Sequence, residues 1–129
     1  MKSILMLALA LALAATAASA AVAGSGGGGG ERVLKRGQCS RGADWTLKVK
    51  QDDAALEVEL EVAQNRVGKR WQITLLRNGT RFFRGVRVTR APSGSFTVER
   101  RTRAGATNRV VATARSLSSG ETCRAVATA

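Results

Sequence analysis

The amino-acid sequence predicts an all-β protein with a single seven-stranded antiparallel β-sandwich. Several segments alternate apolar and polar residues with a period of two, which is typical of strands that bury one face. Turn signals rich in glycine, asparagine and serine separate these segments at regular intervals, and the folded region has no helical period. Short strands of this kind bury their apolar faces by packing two sheets together.

The first residues of the chain have the pattern of a secretory signal peptide. Lys2 precedes an apolar run that is too short to span a membrane, and small residues with A-x-A cleavage patterns follow it. A glycine-rich stretch then predicts a flexible leader. The expected organisation is a signal peptide at residues 1–23, a leader at 24–30 and one β-sandwich domain at 31–129, in a secreted, extracellular protein.

The two cysteines, Cys39 and Cys123, lie near opposite ends of the expected domain. Thiols oxidise outside the cell, so we expect one disulfide between them. Closing so long a loop stabilises a domain by roughly 4 to 5 kcal/mol in the chain-entropy model. The sequence has no histidine, and two distant cysteines form no ligand cluster, so we expect no metal site.

The first expected hairpin consists of "ADWTLKVK" and "LEVELEV", in which apolar and polar residues alternate. If "QDDA" forms a four-residue turn between them, Leu47 lies opposite Val58 and Lys48 lies opposite Glu57. Apolar residues then face apolar residues, and charges face counter-charges. This complementarity supports the antiparallel pairing.

The arginines of residues 76–90 recur every three or four positions, which is also the spacing of a basic stripe on a helix. A helix here would contain Asn78, Gly79 and Gly85, together with β-branched and aromatic residues. Asn-Gly is a strong signal for a two-residue hairpin turn because both residues tolerate positive φ. We therefore expect a hairpin and reject the helix.

The register of this second hairpin places Trp71 and Leu75 inward, with Leu75 facing Phe82. Strict alternation then turns Arg84 toward the core, which is unfavourable for a charged side chain. A bulge at Gly85, or a position at the rim of the sandwich, would release Arg84 to solvent.

The last three strands follow the break at "APSG", and the final two form a hairpin around "LSSG". Their alternation predicts a set of inward apolar residues: Phe96, Val98, Val110, Ala112, Ala114 and Ala125.

This order of strands resembles a fibronectin type III or immunoglobulin-like domain, and "VVATARSLSSGE" is similar to the last hairpin of the former. The chain is also similar to small secreted proteins of unknown function in GC-rich bacteria. The fibronectin-like order implies that the first, second and fifth of the seven strands share one sheet. The chain departs from true immunoglobulin domains at its cysteines, and neither resemblance implies an activity.

A row of glutamates, Glu57, Glu59 and Glu61, would then occupy the outer face of that sheet, between Lys48 and Lys50 on one side and Arg101 and Arg103 on the other. Cross-strand pairing with these cations explains the row as a solvated face. A calcium site or a glycosidase-type carboxylate pair is the alternative, but adjacent carboxylates with cationic neighbours form neither arrangement.

The other sheet is expected to carry a basic outer face without acidic partners, with Phe83 as an apolar contact. Its candidate anion-binding residues are Arg70, Arg81, Arg87, Arg109, Arg115 and Arg124. Arginine forks bind phosphate or carboxylate groups, so the expected partners are polyanions: wall polymers, anionic lipid or extracellular nucleic acid. The alternative is that the arginines reflect a GC-rich genome and only keep the protein soluble.

The whole chain has 21 Lys and Arg residues, nine Asp and Glu residues and a net charge of +12. Without histidine no serine triad can form, and no glycine-rich nucleotide loop is present, so we expect no catalytic residues, no enzyme activity and no small-molecule cofactor. The sequence favours a monomeric, secreted, non-catalytic module that binds anionic surfaces. The alternative is a structural domain, or one that binds an unknown protein, whose basic charge is incidental.

Overall fold

The computed structural model describes residues 29–129, so the expected signal peptide lies outside the described residues. The described chain forms eight β-strands and no α-helix, and it therefore offers no helix long and apolar enough to cross a membrane. The strands are β1 (Gly29–Gln38), β2 (Asp44–Asp52), β3 (Ala55–Ala63), β4 (Arg70–Arg77), β5 (Thr80–Val88), β6 (Ser95–Arg103), β7 (Arg109–Ser116) and β8 (Thr122–Thr128).

The strands form two antiparallel sheets of four. Sheet A has the order β1-β2-β3-β6, and sheet B has the order β5-β4-β7-β8. Alternate residues of both sheets point into one shared core, as the period of two requires. The all-β prediction is confirmed, and the two packed sheets are consistent with a β-sandwich.

Trp71 occupies the centre of this core, where it is completely buried. Its ring lies 6.1 Å from that of Phe96 across the two sheets. The indole Nε1 donates a hydrogen bond of 2.8 Å to Oε1 of Gln64, so the one polar atom of the buried ring is satisfied. The expected inward residues of the last three strands are likewise buried.

The strand that the sequence did not predict is β1, which adds to the edge of sheet A beside β2. It begins at Gly29, within the segment that we assigned to the flexible leader. An edge strand pairs through its backbone and needs few buried side chains, and β1 leaves Leu34 45% exposed. Its weak apolar pattern explains why the sequence indicated seven strands and the structure has eight.

The first hairpin pairs Leu47 with Leu60 and Lys48 with Glu59, so the expected register is wrong by two residues. The turn contains two residues rather than four, and Asp53 adopts a φ of 54° there. A shift of two leaves every side chain on its expected face because the period of a strand is two.

The second hairpin turns at Asn78 and Gly79, with φ of 49° and 81°, and the rejection of the helix is confirmed. Its register differs from the expected one. Leu75 faces Phe83 and Leu76 faces Arg81, so Phe82 is an extra residue that forms a β-bulge.

The bulge reverses the faces of the residues that follow it in β5. Arg84 lies beside Thr74 on the outer face of sheet B, and Arg87 lies opposite the buried Trp71. The bulge that releases Arg84 is therefore at Phe82 and not at Gly85. The expectation that Arg87 and Phe83 point outward was wrong for the same reason.

The disulfide between Cys39 and Cys123 is present, with a Cα–Cα distance of 4.3 Å and a sequence separation of 84. It joins the end of β1 in sheet A to β8 in sheet B. The backbone N–H of Ser40 also donates a hydrogen bond of 2.9 Å to the carbonyl oxygen of Thr122, and the N–H of Thr122 donates one of 2.9 Å to the hydroxyl of Ser40. This side of the molecule is therefore closed by covalent and hydrogen-bonded contacts.

Candidate functional site

The outer face of sheet B carries six arginines, and all six are exposed. Alternation along β4, β7 and β8, together with the bulge in β5, places them on one surface. We call this surface the basic face, and its arginines are Arg70, Arg81, Arg84, Arg109, Arg115 and Arg124.

Uncharged residues separate these arginines across the strands. Arg84, Thr74, Thr113 and Arg124 are successive cross-strand neighbours and form one row from β5 to β8. Three inter-strand steps span roughly 14 Å. No two arginines of the basic face lie directly opposite each other, which avoids the repulsion of like-charged cross-strand pairs. The face therefore distributes positive charge over an extended area.

An apolar row lies next to the row from Arg84 to Arg124. It consists of the cross-strand neighbours Leu76, Val111 and Val126, and Arg81 lies opposite Leu76 on β5. Val111 is only 7% exposed, although it lies on the outer face. The centre of the basic face thus consists of hydroxyl and aliphatic groups, and the arginines lie around it.

Gln72 holds the side chain of Arg84 on the basic face. When the Gln72 amide is oriented with its oxygen toward the guanidinium, that oxygen lies 2.9 Å from both Nε and Nη2 of Arg84. A neutral amide restrains the guanidinium without cancelling its charge. The restraint lowers the side-chain entropy that Arg84 loses when it binds an anion.

The acidic residues are segregated from the basic face. No Asp or Glu occurs in β4, β5, β7 or β8. The two ion pairs of the described chain both lie on sheet A: Lys48 Nζ with Glu59 at 3.8 Å, and Arg101 Nη1 with Glu57 at 3.1 Å. Within residues 32–129, therefore, no carboxylate neutralises an arginine of the basic face.

Arg87, one of the expected anion-binding residues, lies away from this face, at the edge of the two sheets. Its Cζ is 5.3 Å from the centre of the Phe83 ring, and Cζ of Arg100 from β6 is 4.4 Å from the same centre. Both distances are within the range of cation–π attraction. We call Arg87 and Arg100 the edge pair.

Gly85 provides the space for this arrangement. A Cβ atom at Gly85 would lie 2.7 Å from Cζ of Phe83, so the ring packs directly over the glycine backbone. Phe83 packs against the core as a partly buried residue. The ring thus lies between Arg87 of its own strand and Arg100 of β6, within cation–π distance of both.

Five of the six expected anion-binding residues share the basic face, and Arg84 belongs to it as well. Strict alternation turns Arg84 toward the core, and this conflict in the sequence indicates a bulge. Arg100 was missed because its position opposite Val58 makes it an inward residue of an apparently ordinary strand.

The outer face of sheet A has mixed charge. A shallow depression of about 650 Å³ is lined by Lys48, Lys50, Glu57, Glu59 and Arg101, among others. The expected cross-strand pairing of the glutamate row holds in part. Glu57 lies between Lys50 and Arg101, and Glu59 lies between Lys48 and Glu99, whereas Glu61 lies between Thr46 and Thr97 and has no cation opposite it. Among the side chains described, those of residues 32–129, no group of three or more His, Cys, Asp or Glu could hold a metal ion.

Comparisons of the chain with protein-family models, curated proteins and solved structures found no match. Charge and geometry are therefore the basis for a functional assignment.

Proposed function

We propose that the protein is a secreted, non-catalytic module that binds anionic polymers or surfaces through the basic face. One observation carries this proposal: six exposed arginines share a face whose four strands contain no acidic residue. Their fields add, and the summed potential attracts polyanions more strongly than scattered charges do.

Arginine suits this role better than lysine. Its planar guanidinium presents a fork of donors that matches the oxygens of phosphate, sulfate or carboxylate groups. A single exposed contact of this kind contributes little, about 0 to 1 kcal/mol. Binding through this face therefore depends on several contacts at once, which a polymer or a charged surface supplies.

The alternative is that the arginines reflect base composition and that the domain is structural or binds a protein. A compositional bias toward arginine acts on the whole chain. It does not remove Asp and Glu from four strands while β2, β3 and β6 retain them. The segregation of charge, more than its amount, favours a binding face.

The disulfide supports secretion, because disulfides persist in oxidising compartments. We further propose a fibronectin type III-like fold with one additional edge strand. The adjacency of β2, β3 and β6 in sheet A agrees with the order that the resemblance implies. In this interpretation β1 is the addition.

Elution from immobilised heparin as a function of salt tests the function. The double variant Arg115→Glu/Arg124→Glu changes the basic face. The control Arg32→Glu/Arg36→Glu makes the same charge change on exposed positions of sheet A, beside Lys50 and Thr46.

We expect the wild-type protein and the control to elute at high salt and the face variant to elute at clearly lower salt. Each lost contact also lowers the dependence of affinity on salt. Equal losses in both variants would show that net charge alone causes retention and would support the incidental-charge alternative.

A further inference from the structure

The edge of the molecule at β5 and β6 carries positive charge that the basic face does not use. Arg87 and Arg100 lie beside Phe83 on the inner side of this edge, and neither forms an ion pair within the described residues. Among the described residues, the hydrogen-bond acceptor of the Arg87 guanidinium is the carbonyl oxygen of Val86, at 3.0 Å. The edge pair is thus positioned by an aromatic ring. Arg100 also lines the mixed-charge depression of sheet A, whereas Arg87 faces surroundings without acidic residues.

A cleft of about 510 Å³ opens next to Arg87, between the end of β5 and the start of β6. Arg87, Arg90, Ser95 and Thr97 contribute its polar lining, and no acidic residue lines it. Guanidinium and hydroxyl groups are donors for anionic oxygens. The cleft therefore has the chemistry of a site for a phosphate, sulfate or carboxylate group.

The bulge at Phe82 connects this cleft to the basic face. Because of it, Arg84 points to the outer side of β5, whereas Arg87, three residues later, points to the inner side. No strand pairs with the free edge of β5 within the described chain. Positive charge consequently runs across sheet B from Arg124 to Arg84, over the β5 edge, and on to the edge pair.

We propose that the ligand of the basic face is a flexible linear polyanion whose chain crosses sheet B along the row from Arg124 to Arg84 and then bends over β5 into the cleft at Arg87. This inference rests on the proposed function of the basic face and specifies its ligand class. A planar lipid surface that contacts the basic face cannot also reach residues on the inner side of the edge. A flexible chain can reach both.

The test compares inorganic polyphosphate of two chain lengths, one that spans only the basic face and one long enough to reach the edge. The edge variant Arg87→Gln/Arg100→Gln removes both charges, and Arg32→Gln/Arg36→Gln on β1 is the charge-matched control. Because the edge pair packs on Phe83, thermal unfolding of each variant is measured first. Arg90→Gln, an exposed residue of the same cleft, provides a second variant that leaves this packing intact.

We expect the wild-type protein to bind the long chain more tightly than the short chain. The edge variant should lose roughly tenfold in affinity for the long chain at about 0.15 M salt, since two contacts with a single-stranded polyanion are lost. Its affinity for the short chain should match that of the control. Arg90→Gln should weaken only long-chain binding, by a smaller factor.

The proposal is overturned if both the edge variant and Arg90→Gln bind the long chain as tightly as the wild-type protein does. In that case the proposed function of the basic face still stands if short-chain binding depends on Arg115 and Arg124. The proposal is also overturned, in favour of a lipid surface, if the wild-type protein binds vesicles of anionic lipid as tightly as long polyphosphate and the edge variant binds these vesicles equally well. If the wild-type protein binds no polyanion, the proposed function itself is overturned.

Discussion

Glu121 and Ala43, separated by 78 positions, are joined by a hydrogen bond of 2.9 Å from the Ala43 backbone N–H to Oε2 of Glu121. The same oxygen accepts a bond of 3.0 Å from the N–H of Arg41. Glu121 is only 4% exposed and lies two residues before Cys123. One buried carboxylate thus fastens the loop between β1 and β2 to the turn between β7 and β8, next to the disulfide.

Replacing Glu121 by Ala should destabilise the protein, because two backbone N–H groups lose their acceptor in a largely buried site. We expect a loss of about 2 to 4 kcal/mol in the free energy of unfolding, measured by chemical denaturation. Glu121→Gln, which keeps an acceptor oxygen, should lose less. Glu61→Ala is the control, since Glu61 is an exposed residue of the glutamate row. If Glu61→Ala and Glu121→Ala lower the free energy of unfolding equally, this role of Glu121 is refuted.

Replacing both cysteines by Ala should also destabilise the protein, because the disulfide restricts an unfolded chain over a separation of 84 residues. The chain-entropy model gives an upper figure of about 4 to 5 kcal/mol. Alkylation followed by mass spectrometry should detect no free thiol at Cys39 or Cys123 in the unreduced wild-type protein. Two alkylated cysteines would contradict the pairing.

Gly85→Ala should displace the Phe83 ring, because the new methyl group would lie 2.7 Å from Cζ and 3.3 Å from Cε2 of that ring. We expect a destabilisation of about 1 to 3 kcal/mol, as for other overpacked sites. Chemical shifts of the Phe83 ring protons should change as well. Val86→Ala is the control, because Val86 is the next residue, points outward and is 38% exposed. Unchanged chemical shifts of the Phe83 ring protons in Gly85→Ala would contradict the packing of the ring over Gly85.

The sequence was sufficient to predict which faces of most strands are buried. Leu47, Leu60, Ile73 and Val98 alternate with polar neighbours, and each of them is at most 1% exposed. This signal survives an error of register in the first hairpin, because a shift of two residues preserves the face.

The bulge could not be located from the sequence, because Phe82 and Phe83 are adjacent aromatic residues and either can be assigned to the core. The choice between them decides the faces of Arg84 and Arg87, so the basic face could be predicted only in part. Glu121 was not recognised, since a glutamate in a serine-rich turn has the pattern of a solvated residue. Its role depends on a loop that is distant in sequence and adjacent only in the fold.

The proposed function requires that anions bind to the outer face of sheet B and not to the molecule as a whole. Mapping backbone amide chemical shifts by NMR during titration with short-chain polyphosphate tests this most directly. We expect the largest changes at Thr74, Thr113, Arg115 and Arg124, while the amides of Lys48 and Glu59 on sheet A remain nearly unchanged. Changes of equal size on both sheets, or larger changes on sheet A, would contradict it.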